Sequence, residues 1–394
     1  MTADSGPVTG TVFFGARKLD AAGIVDDFWM HINGDLIVAT GTGAHPKAAH
    51  SVDVAGQWLT PGFIDLHGHG GGGYSFDDGP DDIRAALRCH RAHGTTRSVL
   101  SLVANPLADL RTSLAQIAEL TREDPLILGS HLEGPFLAPH RRGAHNAEYL
   151  RHPDPLHVDE LLEAAGSTLR HITIAPELPG AMEAIDVLVA AGVVVAVGHS
   201  ESDFEMARSA FDRGATILTH AFNAMPGIHH RAPGPIIAAF EDERVTIELI
   251  LDGHHVHPDV AALAFRSAPG RVALVTDAMA AAGSTDGDYR MGSLNVAVRD
   301  GIAMLRGTTT IAGSTLLQDQ AVHLAITACH LDPVAAVEAV TLTPAKALGL
   351  AHQYGLLAAG FAADAVVMDS SFTVTGVWAA GNLISEEHNV TAAQ

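Results

Sequence analysis

The 394-residue sequence is poor in positive charge. Lysine and arginine together number 23 against 45 aspartates and glutamates, which gives a formal net charge of −22. Nucleic acids and anionic membrane surfaces are bound through clustered basic side chains, so this balance argues against both as partners. Three of the basic residues are lysines, namely Lys18, Lys47 and Lys346. Few positions can therefore carry lysine chemistry.

Cysteine and long apolar runs are also scarce. The two cysteines, Cys89 and Cys329, are too few for a disulfide framework and suit a reducing compartment. Hydrophobic residues make up 47% of the chain, yet no run of them approaches the ~20 residues of a membrane-spanning helix. The opening MTADSGPVTG lacks the basic start and apolar core of a signal peptide. We therefore expect a cytoplasmic globular protein without a membrane partner.

Histidine, in contrast, is abundant. The chain has 24 histidines, more than its lysines and arginines together. Solvation gives no reason for such a number, whereas imidazole is the commonest metal ligand and titrates near neutral pH. The position of these histidines relative to the predicted strands therefore decides whether they are ligands.

The central part of the chain alternates apolar strands with helical segments. Eight stretches rich in Val, Ile and Leu have the character of parallel strands buried on both faces: 63–67, 95–103, 126–133, 172–177, 193–199, 216–222, 245–253 and 272–278. Helical patterning is found between them, at 80–94, 107–123, 158–166, 181–192, 203–215 and 258–270. Eight βα units predict a parallel (β/α)₈ barrel, with a doubly wound open sheet as the alternative.

Both ends of the chain contain strand-like segments. Asn33-Gly34 between apolar runs predicts a hairpin, and a similar texture returns at 355–369 and 372–384. Neither end is long enough for a stable sheet of its own. We predict that they combine into one small β domain beside the barrel, with two independent flaps as the alternative. The predicted domains are 1–58 with 350–394, and 59–349.

Polar side chains recur where the predicted strands end, which is where a barrel carries its active site. The histidines and carboxylates at these ends are Asp65, His67, His69, His131, Glu133, His199, His220, Asp252, His254, His255 and Asp277. Each alone could be a packed histidine, a loop residue or a helix cap, but one metal centre accounts for most of them. No lysine closes a strand, so neither a carboxylated lysine nor a Schiff base is available. The carboxylate available as a bridging ligand is Glu133.

Six motifs stand at these strand ends: PGFIDLHGHG, HLEGPF followed by RRGAHN, VGHS, THAFNAMPG, LDGHHVHP and TDAM. Together they resemble the amidohydrolase superfamily and, within it, the family of N-acetylglucosamine-6-phosphate deacetylases. The resemblance covers nearly the whole chain in family order. It implies a (β/α)₈ barrel with a β-sandwich built from both termini. It also implies hydrolysis of N-acetyl-D-glucosamine 6-phosphate to D-glucosamine 6-phosphate and acetate.

The resemblance implies roles for individual residues. Glu133, His199 and His220 match a metal triad, and Asp277 matches the catalytic acid/base, with His145 or His255 stabilising the oxyanion. The residues that match substrate contacts are Ala144, His145, Asn223, Ala224, Arg231, His255, Ile311, Ala312 and Gly313.

The expected metal content follows from the same resemblance. Some family members have Gln and Asn in place of His67 and His69 and hold one metal. With both histidines present, we expect a second ion bound by His67, His69, Glu133 and Asp277. Zn²⁺ is the expected ion, at one or two per subunit, with Fe²⁺, Co²⁺, Mn²⁺ or Cd²⁺ as alternatives.

The substrate phosphate is expected to meet arginines. Arg231 matches a residue that reaches the substrate of the neighbouring subunit, which predicts a homodimer. Arg141 and Arg142, in the loop after the third strand, are further candidates.

Three other functions stay open at this point. The substrate could be N-acetylgalactosamine 6-phosphate, because no single sequence shows the contact to the sugar 4-hydroxyl. A cyclic-amide hydrolase, such as a dihydroorotase or hydantoinase, is disfavoured by the missing strand-end lysine and by the GAHN and FNAMPG loops. A catalytically silent metal-binding protein would lack part of the set Glu133, His199, His220 and Asp277, all of which are present.

Overall fold

The structure is a computed structural model that describes residues 8–386. Strands from both chain ends form one eight-stranded sheet, called the terminal sheet below. Numbered along the chain, its strands are β1 (Val8–Asp20), β2 (Gly23–Asn33), β3 (Leu36–Thr42), β4 (Ala48–Asp53), β5 (Trp58–Pro61), β19 (Ala365–Met368), β20 (Val374–Ala379) and β21 (Asn382–Glu386). Their order is β21-β20-β19-β5-β1-β2-β3, with β4 also paired to β1.

The pairing of β5 with β19 joins the two ends of the chain. These strands run antiparallel, with Trp58 opposite Met368 and Pro61 opposite Ala365. The prediction that both ends contribute to one β unit is confirmed, and the alternative of two independent flaps is wrong. The exact domain limits stay a prediction, and residues 1–7 and 387–394 of the predicted β domain lie outside the described residues.

Apolar residues of the terminal sheet fill a core of their own. Phe13, Met30 and Trp378 are buried there, and the rings of Phe13 and Trp378 meet edge to face at 5.0 Å. The hairpin predicted at Asn33-Gly34 is present between β2 and β3. Asn33 pairs with Leu36, so the two-residue loop is Gly34-Asp35, with Gly34 at a positive φ of 61°.

Eight parallel strands form the barrel, and each pairs with the next along the chain. They are β6 (Phe63–Asp65), β9 (Thr95–Leu102), β10 (Ile127–Glu133), β11 (Leu169–Ile174), β12 (Val194–Val197), β13 (Ile217–Leu218), β14 (Thr246–Ile250) and β15 (Val272–Val275). All eight predicted strands are present, so the barrel is confirmed and the open doubly wound sheet is wrong.

A seam of hydrogen bonds links the last barrel strand to the first, just beyond β15 and β6. The N–H of Asp277 donates to the carbonyl of His67 (2.8 Å), and the N–H of His69 donates to the carbonyl of Ala278 (2.7 Å). The hydroxyl of Thr276 donates to Asp65 Oδ2 at 2.6 Å. The seam therefore places His67, His69 and Asp277 next to one another.

Within residues 8–386 the chain forms ten α-helices. They are α1 (Pro80–Ala92), α2 (Leu107–Glu123), α3 (Pro155–Ala165), α4 (Ala181–Ala190), α5 (Phe204–Asp212), α6 (Gly234–Glu241), α7 (Pro258–Ser267), α8 (Gln318–Thr327), α9 (Pro333–Glu338) and α10 (Leu342–Ala347). The first five and α7 match the six predicted helical segments. Helix α10 agrees with the expectation that Lys346 lies in a late helix. Helices α6, α8 and α9 were not predicted; α9 is too short to show a period, and α6 is apolar on nearly every face.

Helix α1 shows why the patterned segments fold as they do. Pro80 fits the first turn, where no N–H partner is needed, and Asp81 and Asp82 complement the positive end of the helix dipole. The buried positions Ile83, Ala86, Leu87 and His90 repeat at helical spacing and lie on one face.

Two small β elements lie outside the main sheets. A ribbon after β6 contains β7 (Gly70–Gly71) and β8 (Tyr74–Ser75). An antiparallel insert after β15 contains β16 (Gly287–Met291), β17 (Leu294–Arg299) and β18 (Ile302–Leu305). The insert was not predicted, although Asp300-Gly301 at its second turn is a hairpin signal. None of the helices in the described part of the chain combines the length and apolar character that crossing a membrane requires.

Candidate active site and metal centre

Six of the predicted ligand side chains converge at the carboxyl ends of the barrel strands. Glu133 is the last residue of β10, and the other five follow β6, β12, β13 and β15. These are His67, His69, His199, His220 and Asp277. All six side chains are buried, so the predicted ligands form one cluster shielded from solvent.

The carboxylate of Glu133 lies at the centre of this cluster. Five imidazole Nε2 atoms lie within 3.3 Å of its oxygens: those of His199 (2.9 Å), His220 (3.1 Å), His145 (3.1 Å), His69 (3.2 Å) and His67 (3.3 Å). The second carboxylate, Asp277, places Oδ1 3.3 Å from His69 Nε2 and 3.6 Å from His67 Nε2. Glu133 thus lies close to all five imidazoles, whereas Asp277 lies close to those of His67 and His69.

Polar atoms of the cluster have unmet bonding capacity. The Nε2 atoms of His199 and His220 are 3.0 Å apart, and those of His67 and His69 are 3.2 Å apart. Asp277 Oδ1 has no hydrogen-bond partner among the residues described. Imidazole nitrogens that face one another beside carboxylates require either a proton or a metal cation between them. The donor set is one that a divalent transition metal prefers, so the residues present fit such an ion.

The outer ring nitrogens fix which histidines present a lone pair to the cluster. His199 Nδ1–H donates to the carbonyl of Arg141 (2.8 Å), and His67 Nδ1–H donates to Glu248 Oε2 (3.2 Å). In the neutral form of each imidazole, Nε2 is therefore the nitrogen that offers a lone pair to a metal. His145 is the opposite case, because its Nδ1 accepts the N–H of Ala104 at 3.2 Å. Its proton must lie on Nε2, so His145 acts as a hydrogen-bond donor to the cluster.

Two ligand sets are compact enough for one ion each. Within each set the ligand atoms lie within 4.8 Å of one another; the sets are His67, His69, Glu133 and Asp277, and Glu133, His145 and His199. The tautomer of His145 disfavours it as a ligand, whereas His220 Nε2 is equally close to Glu133. The geometry therefore agrees with the predicted sharing of Glu133 between two neighbouring sites.

At both carboxylates, the neighbouring imidazoles affect the pKa more strongly than burial does. Burial acts to raise the pKa of Glu133, but the interactions with the imidazoles of His67, His145 and His199 hold this pKa well below its ordinary value. The pKa of Asp277 is lowered in the same way against burial, by His67 and His69. Both carboxylates are therefore ionised near neutral pH.

The imidazoles divide into two groups. Burial acts to lower the pKa of His69, but the adjacent carboxylates of Asp277 and Glu133 raise it to about 9. Burial lowers the pKa of His145 despite the neighbouring carboxylate, so this imidazole is neutral. An ion entering the cluster must displace protons from His69 and from His67, whose pKa is also raised. Metal binding is thus coupled to proton release.

The backbone at three ligands adopts a conformation that favours glycine. His199 (φ 47°), His220 (φ 25°) and Asp277 (φ 46°) all lie in the left-handed region directly after a barrel strand. A non-glycine residue pays about 1–3 kcal/mol for this conformation, and such residues concentrate at functional sites. The turn aims each side chain across the mouth of the barrel instead of along the strand.

A cavity of about 500 Å³ opens above the cluster, a size within the range of small-molecule sites. The predicted substrate contacts that line it are Ala144, His145, Asn223, Ala224, His255, Ile311 and Gly313. Ala312 is buried and lies outside the lining, where its N–H bonds to the carbonyl of Ala303 in β18. Arg231 is exposed and does not line the cavity of its own chain.

His255 is held at the cavity edge by a carboxylate. Its Nδ1 donates to Asp252 Oδ2 at 2.7 Å, and Asp252 Oδ1 accepts the backbone N–H of His255. Burial acts to lower the pKa of His255, but the bond to Asp252 raises it above the ordinary value. The second ring nitrogen is thereby available as a donor.

Sequence reasoning missed several residues near the site. Met291 and Thr310 line the cavity from the inserted sheet and its connection, which was not predicted. Glu248 and His171 are fully buried beneath the cluster. An acidic residue in the middle of the apolar stretch VTIELILDG was the available signal for Glu248.

Comparison with known proteins agrees with this architecture. The sequence profile described as the amidohydrolase family matches residues 58–384. An N-acetylgalactosamine-6-phosphate deacetylase of Escherichia coli O157:H7 is 36% identical over 373 residues, which cover 94% of this chain and 98% of the relative. An N-acetylglucosamine-6-phosphate deacetylase of Vibrio furnissii is 35% identical over 331 residues, which cover 83% and 82%.

A solved structure is similar over the same range. The N-acetyl-D-glucosamine-6-phosphate deacetylase of Mycobacterium smegmatis, solved as a mutant in complex with N-acetyl-D-glucosamine 6-phosphate, has a TM-score of 0.92 and 42% identity. The match covers 96% of this chain and all of that one. The barrel, the terminal sheet, the buried ligand cluster and these matches together show that the chain belongs to the amidohydrolase family.

Proposed function

We propose that this protein is a metal-dependent hydrolase that converts N-acetyl-D-glucosamine 6-phosphate to D-glucosamine 6-phosphate and acetate. The observation that carries the proposal is the buried cluster around Glu133 at the floor of a cavity of about 500 Å³. The names of the relatives supply the substrate class. The cytoplasm is the compartment that we propose for the reaction.

Zn²⁺ is the proposed ion, because mixed nitrogen and oxygen ligands at a buried site suit it, with Fe²⁺, Co²⁺, Mn²⁺ or Cd²⁺ as alternatives. Glu133, His199 and His220 would hold the first ion. A second ion would be held by His67, His69, Glu133 and Asp277. The chemistry that such an ion supplies is Lewis acidity, which lowers the pKa of water and polarises a carbonyl group.

Asp277 is the proposed acid/base. Its Oδ1 lacks a hydrogen-bond partner within residues 8–386, and its pKa is lowered, so it can accept a proton from the attacking water. The same atom then delivers that proton to the sugar nitrogen as the C–N bond breaks. The amine leaves neutral, the acyl group and the water oxygen form acetic acid, and this acid releases its remaining proton to solvent as acetate.

His145 and His255 are proposed as donors to the carbonyl oxygen of the acetyl group. The Nε2 proton of His145 follows from the bond that its Nδ1 accepts, and Asp252 orients His255. A donor of this kind is typically worth about 3 kcal/mol in the transition state. The proposed sugar contacts are Ala144, Asn223, Ala224, Ile311, Ala312 and Gly313, of which Ala312 would act through its backbone position.

The substrate phosphate needs local positive charge on a strongly acidic protein. Among the described residues that line the cavity, Arg141 and Arg142 are the ones with a permanent positive charge. Arg231 is too exposed to serve its own cavity, which agrees with the proposal that it reaches the active site of a neighbouring subunit in a homodimer. Both sources fit a bidentate arginine–phosphate contact.

One other substrate is favoured by a specific observation. The Escherichia coli O157:H7 relative is named for N-acetylgalactosamine 6-phosphate, which differs at the sugar 4-hydroxyl. The gluco sugar is preferred, because the other relatives compared and the 42% identical structure are named for it. A lysine-dependent cyclic amidase is disfavoured, since Lys18 pairs with Asp20 in the terminal sheet and Lys346 pairs with Glu338 on the outside.

The test is acetate release from four sugars: N-acetylglucosamine and N-acetylgalactosamine, each with and without a 6-phosphate. The protein is analysed for metal and assayed before and after chelation. We expect fast, chelator-sensitive turnover of N-acetylglucosamine 6-phosphate and at least tenfold slower turnover of the others. Faster turnover of the galacto epimer would reassign the substrate. No turnover by metal-loaded protein would overturn the deacetylase proposal and leave the fold and the family unaffected.

A further inference from the structure

The barrel interior beneath the side-chain cluster around Glu133, called the metal cluster below, is polar. Barrel interiors are normally filled by branched apolar side chains. Six side chains from five strands or their ends form this region, called the polar layer below. They are Ser101, His131, His171, Thr173, Thr219 and Glu248, and each is fully buried. None of them was assigned a role by the proposed reaction.

Most of the polar layer satisfies its own hydrogen bonds. Ser101 Oγ lies 2.9 Å from His131 Nδ1, and His131 Nε2 lies 2.9 Å from Thr173 Oγ1. Thr173 Oγ1 in turn lies 2.9 Å from the hydroxyl of Thr219. Hydroxyl groups can donate or accept, so this chain of neutral groups needs no external partner.

Glu248 is different, because it is a carboxylate without a complete set of partners. Its Oε2 lies 3.2 Å from His67 Nδ1. Its Oε1 has no hydrogen bond within the described chain, and the nearest cationic candidate is His171 Nδ1 at 3.8 Å. No arginine or lysine of residues 8–386 forms an ion pair with it. A buried carboxylate is costly unless positive charge lies near, and a cation held on the far side of His67 would supply such charge.

His67 connects Glu248 to the metal cluster. Its Nδ1 faces Glu248, and its Nε2 faces Glu133 Oε1 at 3.3 Å. With the proton on Nδ1, Nε2 offers a lone pair to an ion. With the proton on Nε2, the imidazole would donate to Glu133 instead and close the second ligand set. The hydrogen-bond acceptor at Nδ1 therefore decides between these two states.

We propose that Glu248 is a positioning residue that makes His67 a metal ligand, and that it thereby sets the affinity for the second divalent ion. It acts by accepting the Nδ1 hydrogen and by supplying a negative charge beneath the site. This inference rests on the metal centre of the proposed function but not on the substrate, because metal binding is measured without any sugar.

The experiment counts metal ions in the full-length protein. Wild type, Glu248→Leu, Glu248→Gln and His67→Gln are loaded with Zn²⁺, dialysed, and analysed for ions per chain, and the affinity of the second ion is measured by competition with a chelator. Asp20→Asn is the matched control, because Asp20 is also a buried carboxylate but lies in the terminal sheet. Circular dichroism establishes that each variant is folded.

We expect two ions per chain for wild type and Asp20→Asn, and one for Glu248→Leu and His67→Gln. The Glu248→Gln side chain can still accept the Nδ1 hydrogen, so it should keep the second ion with about 10–100-fold weaker affinity. Combining Glu248→Leu with His67→Gln should cause no further loss of metal, since both act on one ligand.

Two results would overturn the inference: a second ion bound by Glu248→Leu with wild-type affinity, or wild type that takes up a single ion. If Glu248→Leu does not fold, the affinity of Glu248→Gln decides, and an unchanged second-ion affinity overturns the inference. Failure of the deacetylase proposal is distinguishable, because it would leave two-ion binding intact and remove only acetate release.

Discussion

The side-chain cluster around Glu133 and the core of the terminal sheet are both buried, yet their carboxylates differ in how completely they are hydrogen-bonded. In the terminal sheet the buried Asp20 is matched by Lys18 at 3.1 Å and by the N–H of Leu357 at 3.0 Å. In the cluster, ring nitrogens face one another, and Asp277 Oδ1 has no hydrogen bond to the described chain. The difference shows that burial alone does not mark a functional site. Several buried carboxylates and imidazoles gathered at one place with incomplete bonding do.

The largest expected effect comes from comparing a carboxylate of the cluster, Asp277, with a carboxylate of the terminal sheet, Asp20. Asp277→Asn removes the proposed acid/base, so we expect turnover to fall by about 1,000-fold or more, with the fold retained. Steady-state acetate release by protein of known metal content measures this. Asp20→Asn is the counterpart, and should lower the free energy of unfolding by about 2 kcal/mol while turnover stays at the wild-type level. A folded, metal-loaded Asp277→Asn within tenfold of wild type would contradict the assigned role.

The next effect tests the apolar core of the terminal sheet. Phe13→Ala removes a fully buried ring that contacts Trp378, and the resulting cavity should lower the free energy of unfolding by about 3–5 kcal/mol. Urea unfolding followed by tryptophan fluorescence gives this value, and Phe13→Leu should show a smaller loss. Turnover well below the unfolding midpoint should be unchanged. A parallel loss of turnover would show that the stability of the terminal sheet and the geometry of the active site are coupled.

The smallest effect is a pH dependence that arises in the polar layer. Burial lowers the pKa of His171 to about 4, against an ordinary value near 6.5 in the unfolded chain. Between these values the unfolded state binds a proton that the folded state does not. The free energy of unfolding should therefore fall by up to about 3 kcal/mol as the pH drops from 6.5 to 4.

His171→Gln is the variant that isolates this titration. Unfolding of both proteins is measured after chelation, so that loss of metal in acid does not contribute. The variant should lack this part of the acid sensitivity. An identical pH slope in the two proteins would show that His171 does not titrate as its surroundings imply.

The barrel and its ligands could be predicted because their signals are local. Each strand is an apolar run, and cluster residues such as Glu133, His199 and Asp277 stand at the ends of such runs. The inserted sheet and helices α6, α8 and α9 carry weaker local signals and were not predicted. The role of Glu248 could not be predicted, because its partner His67 is 181 positions away and only the closed barrel brings them together. Likewise, the tautomer of His145 depends on the backbone N–H of Ala104, which no sequence pattern indicates.

The hydrogen-bonded seam between the last and the first barrel strand has a consequence for biosynthesis. Thr276 and Asp65 are 211 positions apart, and they bond across the seam beside His67 and Asp277. A nascent chain that has emerged only as far as β14 carries most of the ligands but lacks the element that aligns the second set. The second group, His67, His69, Glu133 and Asp277, can therefore form only after β15 has left the ribosome and docked. A chain that stops short of β15 would lack Asp277 and should retain a divalent ion less tightly than the finished barrel.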